Sequence, residues 1–228
     1  MPRLRHRRGK KLNLAGDLGL AFNTSYFELR SKKYVNVVGA GPFQTQLPKQ
    51  WGSHASRLVK VLLEGHEDPQ LDKDIKLDKE DFDRVVTWID INAPYYPKYA
   101  SAYRDNQYGR SPLNPGQLGQ LIELTGVNLN DQNLAGHVSF TRPELSPCLA
   151  SLSDKGGASY QEALAIIRAG REMLARQPRA DMPEFQLTSQ IEIDQEAKYQ
   201  ARLDVEATMR QSILQGEKRY DRPSAGGQ

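Results

Sequence analysis

The alternation of hydrophobic and polar residues predicts an amphipathic helix shortly after the first fifty residues. Ser53 can cap the start of this helix, because its side chain can accept a hydrogen bond from a backbone N–H of the first turn. Gly65 can end the helix, because glycine is the residue most often found directly after a helix C-terminus. The apolar positions between them recur at three- and four-residue spacing and form one face: Leu58, Val59, Leu62 and Leu63.

A second amphipathic helix follows a charged loop that contains Pro69. Asp78 and Asp81 lie at its start, where their negative charges interact favourably with the positive end of the helix dipole. Its apolar stripe has the spacing of one buried face: Phe82, Val85, Val86 and Ile89. Asn92-Ala93-Pro94 ends it, since proline cannot donate the next backbone hydrogen bond.

The second half of the chain contains further helical patterns. Ser159 and Glu162 have the spacing of a capping box, and the amphipathic helix after them runs through Leu174 until Pro178. A charged, alanine-rich helix is predicted from about Ile191 to Gln215, with too few apolar residues for a core of its own. Shorter elements are predicted in three places: a helix at 117–124, a brief strand or extended turn at 138–140, and a helical segment at 146–152.

Two stretches show no sustained period and are predicted to be irregular. Residues 12–50 are rich in Gly, Asn, Ser and aromatic residues, and residues 95–115 are rich in Tyr, Pro and Gly. Together with the helices, this pattern predicts a mainly α protein with long irregular loops. We expect a small helical module at 1–100 and an aromatic loop with a helical extension at 101–228.

Composition and charge narrow the classes of function. The net charge of +3 does not favour a nucleic-acid-binding protein, although six Lys and Arg residues crowd the first eleven positions. Cys148 is the one cysteine, which excludes an internal disulfide framework and a multi-cysteine metal site. No apolar run has the length of a membrane span, and none comes after the basic start as in a secretory signal.

Candidate catalytic groups are sparse. None of the four histidines has the sequence context of a nucleophile, base and orienting residue, so a hydrolase is not favoured. The acidic residues between Asp72 and Asp83 are interpreted as a solvated surface, because the glycine and final glutamate of a calcium-binding loop are missing. Gly39-Ala40-Gly41 lacks the strand, helix and lysine of a phosphate-binding loop.

Several long motifs resemble the C-terminal region of planctomycete cytochrome c-like multidomain proteins, similar to the hydrazine synthase alpha subunit. The resemblance covers nearly the whole chain. Its motifs are Trp51-Gly52-Ser53-His54, Gly65-His66, Thr87-Trp88-Ile89-Asp90-Ile91-Asn92-Ala93-Pro94-Tyr95, Tyr108-Gly109-Arg110-Ser111, Phe140-Thr141-Arg142-Pro143-Glu144-Leu145-Ser146-Pro147 and Pro178-Arg179-Ala180-Asp181-Met182-Pro183.

The resemblance implies a haem that a Cys-x-x-Cys-His motif attaches covalently. The matching stretch here is Pro2-Arg3-Leu4-Arg5-His6, so Pro2 and Arg5 occupy the two cysteine positions. Either the chain begins inside a longer protein and its first residues are not the native ones, or the module has lost the covalent attachment of haem. His66 is the implied second iron ligand, in a pocket closed by the helix that carries Trp88, with a capping or surface histidine as the alternative.

The remaining candidates have ordinary structural interpretations. His54, in the first turn of a helix, is expected at the surface. Met182 is expected to pack against the domain rather than to ligate iron. Trp88 is expected in the core, and the tyrosine-rich loop is expected to fold against the helices.

Two functions therefore remain open, and a third has weaker support. The resemblance implies a fragment of a haem-containing electron-transfer or redox protein, extracytoplasmic or periplasmic, and not active alone. The alternative is a non-catalytic interaction or scaffold module that binds a neighbouring domain or subunit. The third is binding of nucleic acid or an anionic surface by the Arg- and Lys-rich start. Whether the chain is an enzyme stays undecided.

Overall fold

The computed structural model describes residues 12–38, 45, 47–65, 77–131 and 135–217. Within these ranges the chain forms six α-helices and no β-strand, which confirms the mainly α prediction. The helices are α1 (Thr24–Ser31), α2 (Arg57–Glu64), α3 (Lys79–Asp90), α4 (Pro115–Thr125), α5 (Ala158–Arg176) and α6 (Gln190–Leu214). By its internal contacts the chain divides into two units, Met1–Phe185 and Gln186–Gln228. The boundary predicted near residue 100 stays a prediction.

Helix α1 lies in the stretch that was predicted to be irregular, so that prediction was wrong in part. Asn23 caps α1, because its Oδ1 accepts from the Tyr26 amide at 2.8 Å. The helix has no fully buried residue and no clear apolar face. A short helix of this kind is stabilised by its cap and by tertiary contacts, and hydrophobic periodicity does not reveal it.

The two predicted helices of the first half are present. Ser56 occupies the N-cap position of α2, and the predicted cap Ser53 instead begins a 3₁₀ turn, Ser53–Ala55. Gly65 ends α2 with φ +82°, a conformation that favours glycine. Asp78 caps α3 as predicted and accepts from the Asp81 amide at 2.8 Å.

The second half is also mainly helical. Asn114 and Gln117 form a capping box at the start of α4. Helix α5 has Gly157 at its N-cap position, so the predicted capping box of Ser159 and Glu162 is not formed. The segment predicted near 146–152 is a 3₁₀ helix, Pro147–Ser151. Residues 138–140 form no strand, and Phe140 lies in a bend.

The larger hydrophobic core lies between α4 and α5 and the 3₁₀ turns that come after α4. Phe140 and Ile167 are fully buried in it, and Leu20 joins it from the first part of the chain. Gly170 of α5 lies against Phe140, where an added Cβ would overlap the aromatic ring and come within 3.0 Å of Leu113 Cδ2. Glycine here permits the ring to approach the helix backbone.

A smaller core joins α2 and α3. Its four buried residues are Val35, Val59, Ile89 and Ala93. The apolar residues around these four are only partly buried: Leu29, Val37, Leu58, Phe82, Val85, Val86 and Trp88. This core is therefore covered much less completely than the larger one.

Helix α6, the main element of the second unit, spans 25 residues and has no buried residue. The sequence predicted this helix to within one residue at each end. Its exposed apolar side chains include Ile191, Val205 and Leu214. No helix in the described part of the chain is long and apolar enough to cross a bilayer.

The contact between Gly170 and Phe140 gives a stability prediction. Replacing Gly170 with alanine should lower the free energy of unfolding by about 1–3 kcal/mol, because the methyl group forces the ring or the helix to move. Gly119 of α4 is the matched control, since an added Cβ there has no atom within 4 Å. Gly119→Ala should leave stability unchanged or raise it by up to about 1 kcal/mol. Urea unfolding monitored by circular dichroism measures both, and equal effects would contradict this packing.

Candidate functional site

The first unit contains a buried ion pair. The Arg179 and Asp181 side chains are only 1% and 6% exposed, and Arg179 Nε lies 2.7 Å from Asp181 Oδ1. A second bond joins Arg179 Nη2 to Asp181 Oδ2 at 2.9 Å. Two parallel bonds of this kind fix the orientation of both groups. The pair therefore holds the loop after α5 in one geometry.

Arg179 also connects this loop to the first part of the chain. Its Nη1 donates to the carbonyl oxygens of Gly19 at 2.9 Å and Leu20 at 3.1 Å. Burial disfavours the charged guanidinium, but the hydrogen bond and negative charge of Asp181 outweigh burial, so the pKa of Arg179 lies above its usual value. Arg179 is thus a buried cation that joins segments about 160 residues apart.

Tyr95 shares the carboxylate of Asp181. Its hydroxyl donates to Asp181 Oδ2 at 2.6 Å and accepts from the Asn23 backbone amide at 3.0 Å. Burial raises the pKa of Tyr95, and the hydrogen bond to Asp181 raises it further. The hydroxyl therefore stays protonated and links α1, the loop after α3 and the loop after α5.

An aromatic cluster surrounds Tyr95. The Tyr26 ring centroid lies 4.7 Å from that of Tyr95, and Trp88 continues the cluster 6.2 Å beyond Tyr26. On the other side, Tyr96 packs edge-on against Tyr95 at 4.9 Å, with the Arg110 guanidinium carbon 3.9 Å from the Tyr96 ring centroid. Such tilted and edge-on contacts suit the charge distribution of aromatic rings.

The hydroxyl groups next to Tyr95 bond to the backbone rather than to a carboxylate. Tyr26 Oη donates to the Ala93 carbonyl at 2.8 Å, and Tyr96 Oη donates to the Ala21 carbonyl. Trp88 Nε1 donates to the Pro94 carbonyl at 2.9 Å. These bonds place the loop after α3, as predicted for the tyrosine-rich segment, although Tyr99 of that loop is fully exposed.

Two motifs that carry the resemblance meet at the end of α3. Asp90 accepts from the Ser53 amide at 2.7 Å and from the Ser53 hydroxyl at 3.0 Å. Gly52 has φ +71°, and an added Cβ there would lie 2.6 Å from Asp90 Oδ1. Glycine at this position lets the loop approach the carboxylate.

The two predicted iron ligands, His6 and His66, both lie outside the described residues. His54 is exposed, as predicted. His137, for which the sequence indicated no role, lines a cleft of about 470 Å³ with Phe27 and Arg142 among its other walls. In the part of the chain that the structure describes, no group of three or more His, Cys, Asp or Glu residues could hold a metal ion.

The smaller core lies in the region that was predicted to enclose a haem. The smaller core fills the space between α2 and α3, where Val59 and the fully buried Ile89 belong to one cluster. A separate open depression of about 630 Å³ lies on the outer face of α3, next to Thr87, Trp88 and Ile91. Haem binding between α2 and α3 therefore stays a prediction.

Cys148 cannot replace the missing attachment cysteines. Its side chain is fully buried in the larger core, and burial raises the pKa of its thiol to about 12. Met182 packs against the same core and its sulfur accepts from the Arg179 amide at 3.4 Å, consistent with the predicted packing role. The acidic start of α3 forms surface ion pairs with Arg84 and Lys79.

Comparisons with known proteins assign no family to this chain, because no family model, no curated protein and no solved structure matches it.

The Arg179 and Asp181 pair gives a second prediction. Asp181→Asn should lower the free energy of unfolding by about 3–5 kcal/mol, because it leaves the Arg179 charge buried without a counter-charge. Glu144→Gln is the matched control, since Glu144 pairs with Arg168 at 2.7 Å on the exposed surface. The control should leave stability essentially unchanged. Chemical unfolding of both variants measures the difference, and comparable losses would refute the central role of the buried pair.

Proposed function

We propose that this chain is part of a haem-containing electron-transfer or redox protein that resembles the hydrazine synthase alpha subunit, and that it does not act as an enzyme alone. The supporting observation is that motifs far apart in sequence contact one another. Ser53 bonds to Asp90, and Tyr95 bonds to Asp181. These contacts bring several of the motifs together within the first unit, and this supports the proposal.

The described residues have the character of a scaffold rather than of a catalytic site. Several of their charged groups form ion pairs and caps, and the most buried of them, Arg179, holds loops in place. The location of the whole protein outside the cytoplasm is part of the same proposal, and it rests on the resemblance alone.

The incomplete cover of the smaller core also supports an apolar ligand on this part of the chain. Phe82, Val85 and Val86 are only partly buried, and Leu63 of α2 is 67% exposed. A porphyrin is a large apolar ring whose binding removes such surface from water. His66, which comes directly after Gly65 at the end of α2, and His6 are the residues proposed to hold its iron. When bound, a haem would supply one-electron transfer.

Haem binding can be tested by titrating haemin into the purified chain. A saturable, sharp Soret band is expected, and His66→Ala should shift or weaken it because iron loses an axial ligand. His54→Ala is the matched control, because His54 is an exposed histidine on the turn before α2. The control should leave the spectrum and affinity unchanged.

Two outcomes would overturn this proposal for the chain as it stands. One is the absence of a saturable Soret band at several-fold excess haemin. The other is an equal response of the His66 and His54 variants, which would indicate non-specific adsorption of the porphyrin to apolar surface.

A second candidate, a non-catalytic interaction module, is favoured by helix α6. Its 25 residues include no buried side chain, and Ile191 and Val205 are 69% and 64% exposed. Isolated helices depend on packing for most of their stability, so a long helix without buried residues is suited to binding another surface. In this proposal α6 binds a neighbouring domain or subunit of a larger assembly.

Hydrogen exchange tests this second candidate. Backbone amides of α6 should exchange rapidly in the isolated chain and slow down in the presence of the neighbouring domain or subunit. Val205→Lys should abolish the protection, because it places a charge in the contact, whereas Gln195→Lys at another exposed position of α6 should retain it. Unchanged exchange in the presence of the partner would reject α6 as the binding element.

A further inference from the structure

We infer that the cleft between α1 and residues 136–147 binds a neutral, hydroxyl-rich small molecule of the class of sugars. The cleft has a volume of about 470 Å³. Sites for small ligands usually span about 300–1,000 Å³. All residues that line it belong to the first unit. The inference goes beyond the redox function proposed above and does not depend on haem.

One side of α1 forms the first wall of the cleft. Its lining residues are spaced at three, four and seven positions, which places them on the same side of a helix: Thr24, Phe27, Glu28 and Ser31. Phe27 is the apolar member of this set. The wall therefore presents hydrogen-bonding groups beside an aromatic ring.

Residues 136–147 contribute the second wall, and backbone contacts hold it in place. Phe27 packs against Gly136, where an added Cβ would overlap the aromatic ring. The Phe140 amide donates to the Leu18 carbonyl at 2.7 Å, and the Leu18 amide donates to Thr141 Oγ1 at 2.9 Å. These bonds join the second wall to the segment before α1. A cleft that is already formed loses less entropy when a ligand binds.

Asp17 supplies a carboxylate of fixed orientation. Its side chain is 13% exposed. Arg142 Nε and Nη2 lie 2.8 and 2.7 Å from Asp17 Oδ2, and the Ser139 hydroxyl donates to the same oxygen at 3.1 Å. The side-chain contacts of Asp17 within the described residues thus fall on Oδ2. Its other oxygen, Oδ1, is left to accept a hydrogen bond from a ligand.

Glu28 supplies a second carboxylate in the same way. Its side chain is 17% exposed, and Oε2 both pairs with Lys32 and accepts from the Asn13 amide at 2.9 Å. His137 also lines the cleft, and its imidazole has no hydrogen-bond partner among the described residues. A neutral imidazole carries one donor and one acceptor. The cleft thus combines carboxylate acceptors with an imidazole that can donate or accept.

The charge balance of the cleft decides the class of ligand. Asp17 pairs with the cation Arg142. Glu28 likewise pairs with Lys32, so the four charges cancel. A charged ligand would meet a like charge without gaining an unpaired opposite one, and a zwitterion would have to displace the existing ion pairs. Hydroxyl groups instead donate to a carboxylate that keeps its cation. The C–H groups of a sugar ring can pack against Phe27.

Saturation-transfer difference NMR on the full chain tests this inference. The neutral probes are glucose, galactose, N-acetylglucosamine, maltose, cellobiose and lactose. The charged probes are glutamine as a zwitterion, cadaverine as a cation and glucose 6-phosphate as an anion. Glucose 6-phosphate is a matched probe, because it differs from glucose by its phosphate group alone. At least one neutral sugar should give a saturable signal, and the charged probes should bind more weakly.

Variants of the cleft locate the binding site. Ser31→Leu should weaken sugar binding by at least about tenfold, because the larger side chain occupies space that the ligand needs. Ser159→Leu, at an exposed serine of α5, is the matched control and should bind normally. His137→Ala should weaken binding about two- to tenfold through the loss of one hydrogen bond. His54→Ala, at an exposed histidine, should leave the affinity unchanged.

Circular dichroism establishes that each variant is folded, and His137→Ala decides the outcome if Ser31→Leu does not fold. Three results would overturn the inference. They are no saturable signal from any neutral sugar, sugar binding that His137→Ala and a folded Ser31→Leu leave unchanged, and stronger binding of a charged probe than of every sugar. Because no haemin is present, these results are distinct from failure of the haemin titration.

Discussion

The buried cation of Arg179 is the constraint on which the geometry of the first unit depends. A guanidinium that is 99% removed from solvent is unfavourable unless its donors are satisfied, and here Asp181 and the carbonyls of Gly19 and Leu20 satisfy them. This requirement fixes the loop after α5 against the segment before α1. Tyr95 then bonds to the same carboxylate, so the loop after α3 is fixed as well.

The hydrogen-bonded group of Arg179, Asp181 and Tyr95 and the two hydrophobic cores have complementary roles. Gly170 and Phe140 show how tightly the larger core is packed, whereas the smaller core leaves Phe82 and Val86 partly exposed. Hydrophobic burial stabilises the helices without specifying direction, and the charged bonds of Arg179 specify which loops meet. The bonds of Arg179 thus determine how these loops are positioned.

The functional proposals draw on different parts of the molecule. The haem proposal depends on the resemblance and on His6 and His66, neither of which lies in the described residues. The interaction proposal depends on α6 and its exposed apolar side chains. The haemin titration therefore tests the first of these proposals, and hydrogen exchange of α6 tests the second.

The sequence by itself determined the helical fold class and the positions of α3 and α6, because caps and residue spacing act over a few neighbouring residues. It also predicted α2, α4 and α5, with less exact starts. Other features were decided by the tertiary structure alone. Helix α1 escaped prediction because its stability comes from Asn23 and distant contacts rather than from an apolar face. The grouping of Arg179, Asp181 and Tyr95 likewise had no local signal in the sequence. These residues meet because a buried charge needs partners, and only the folded chain brings those partners from segments far apart.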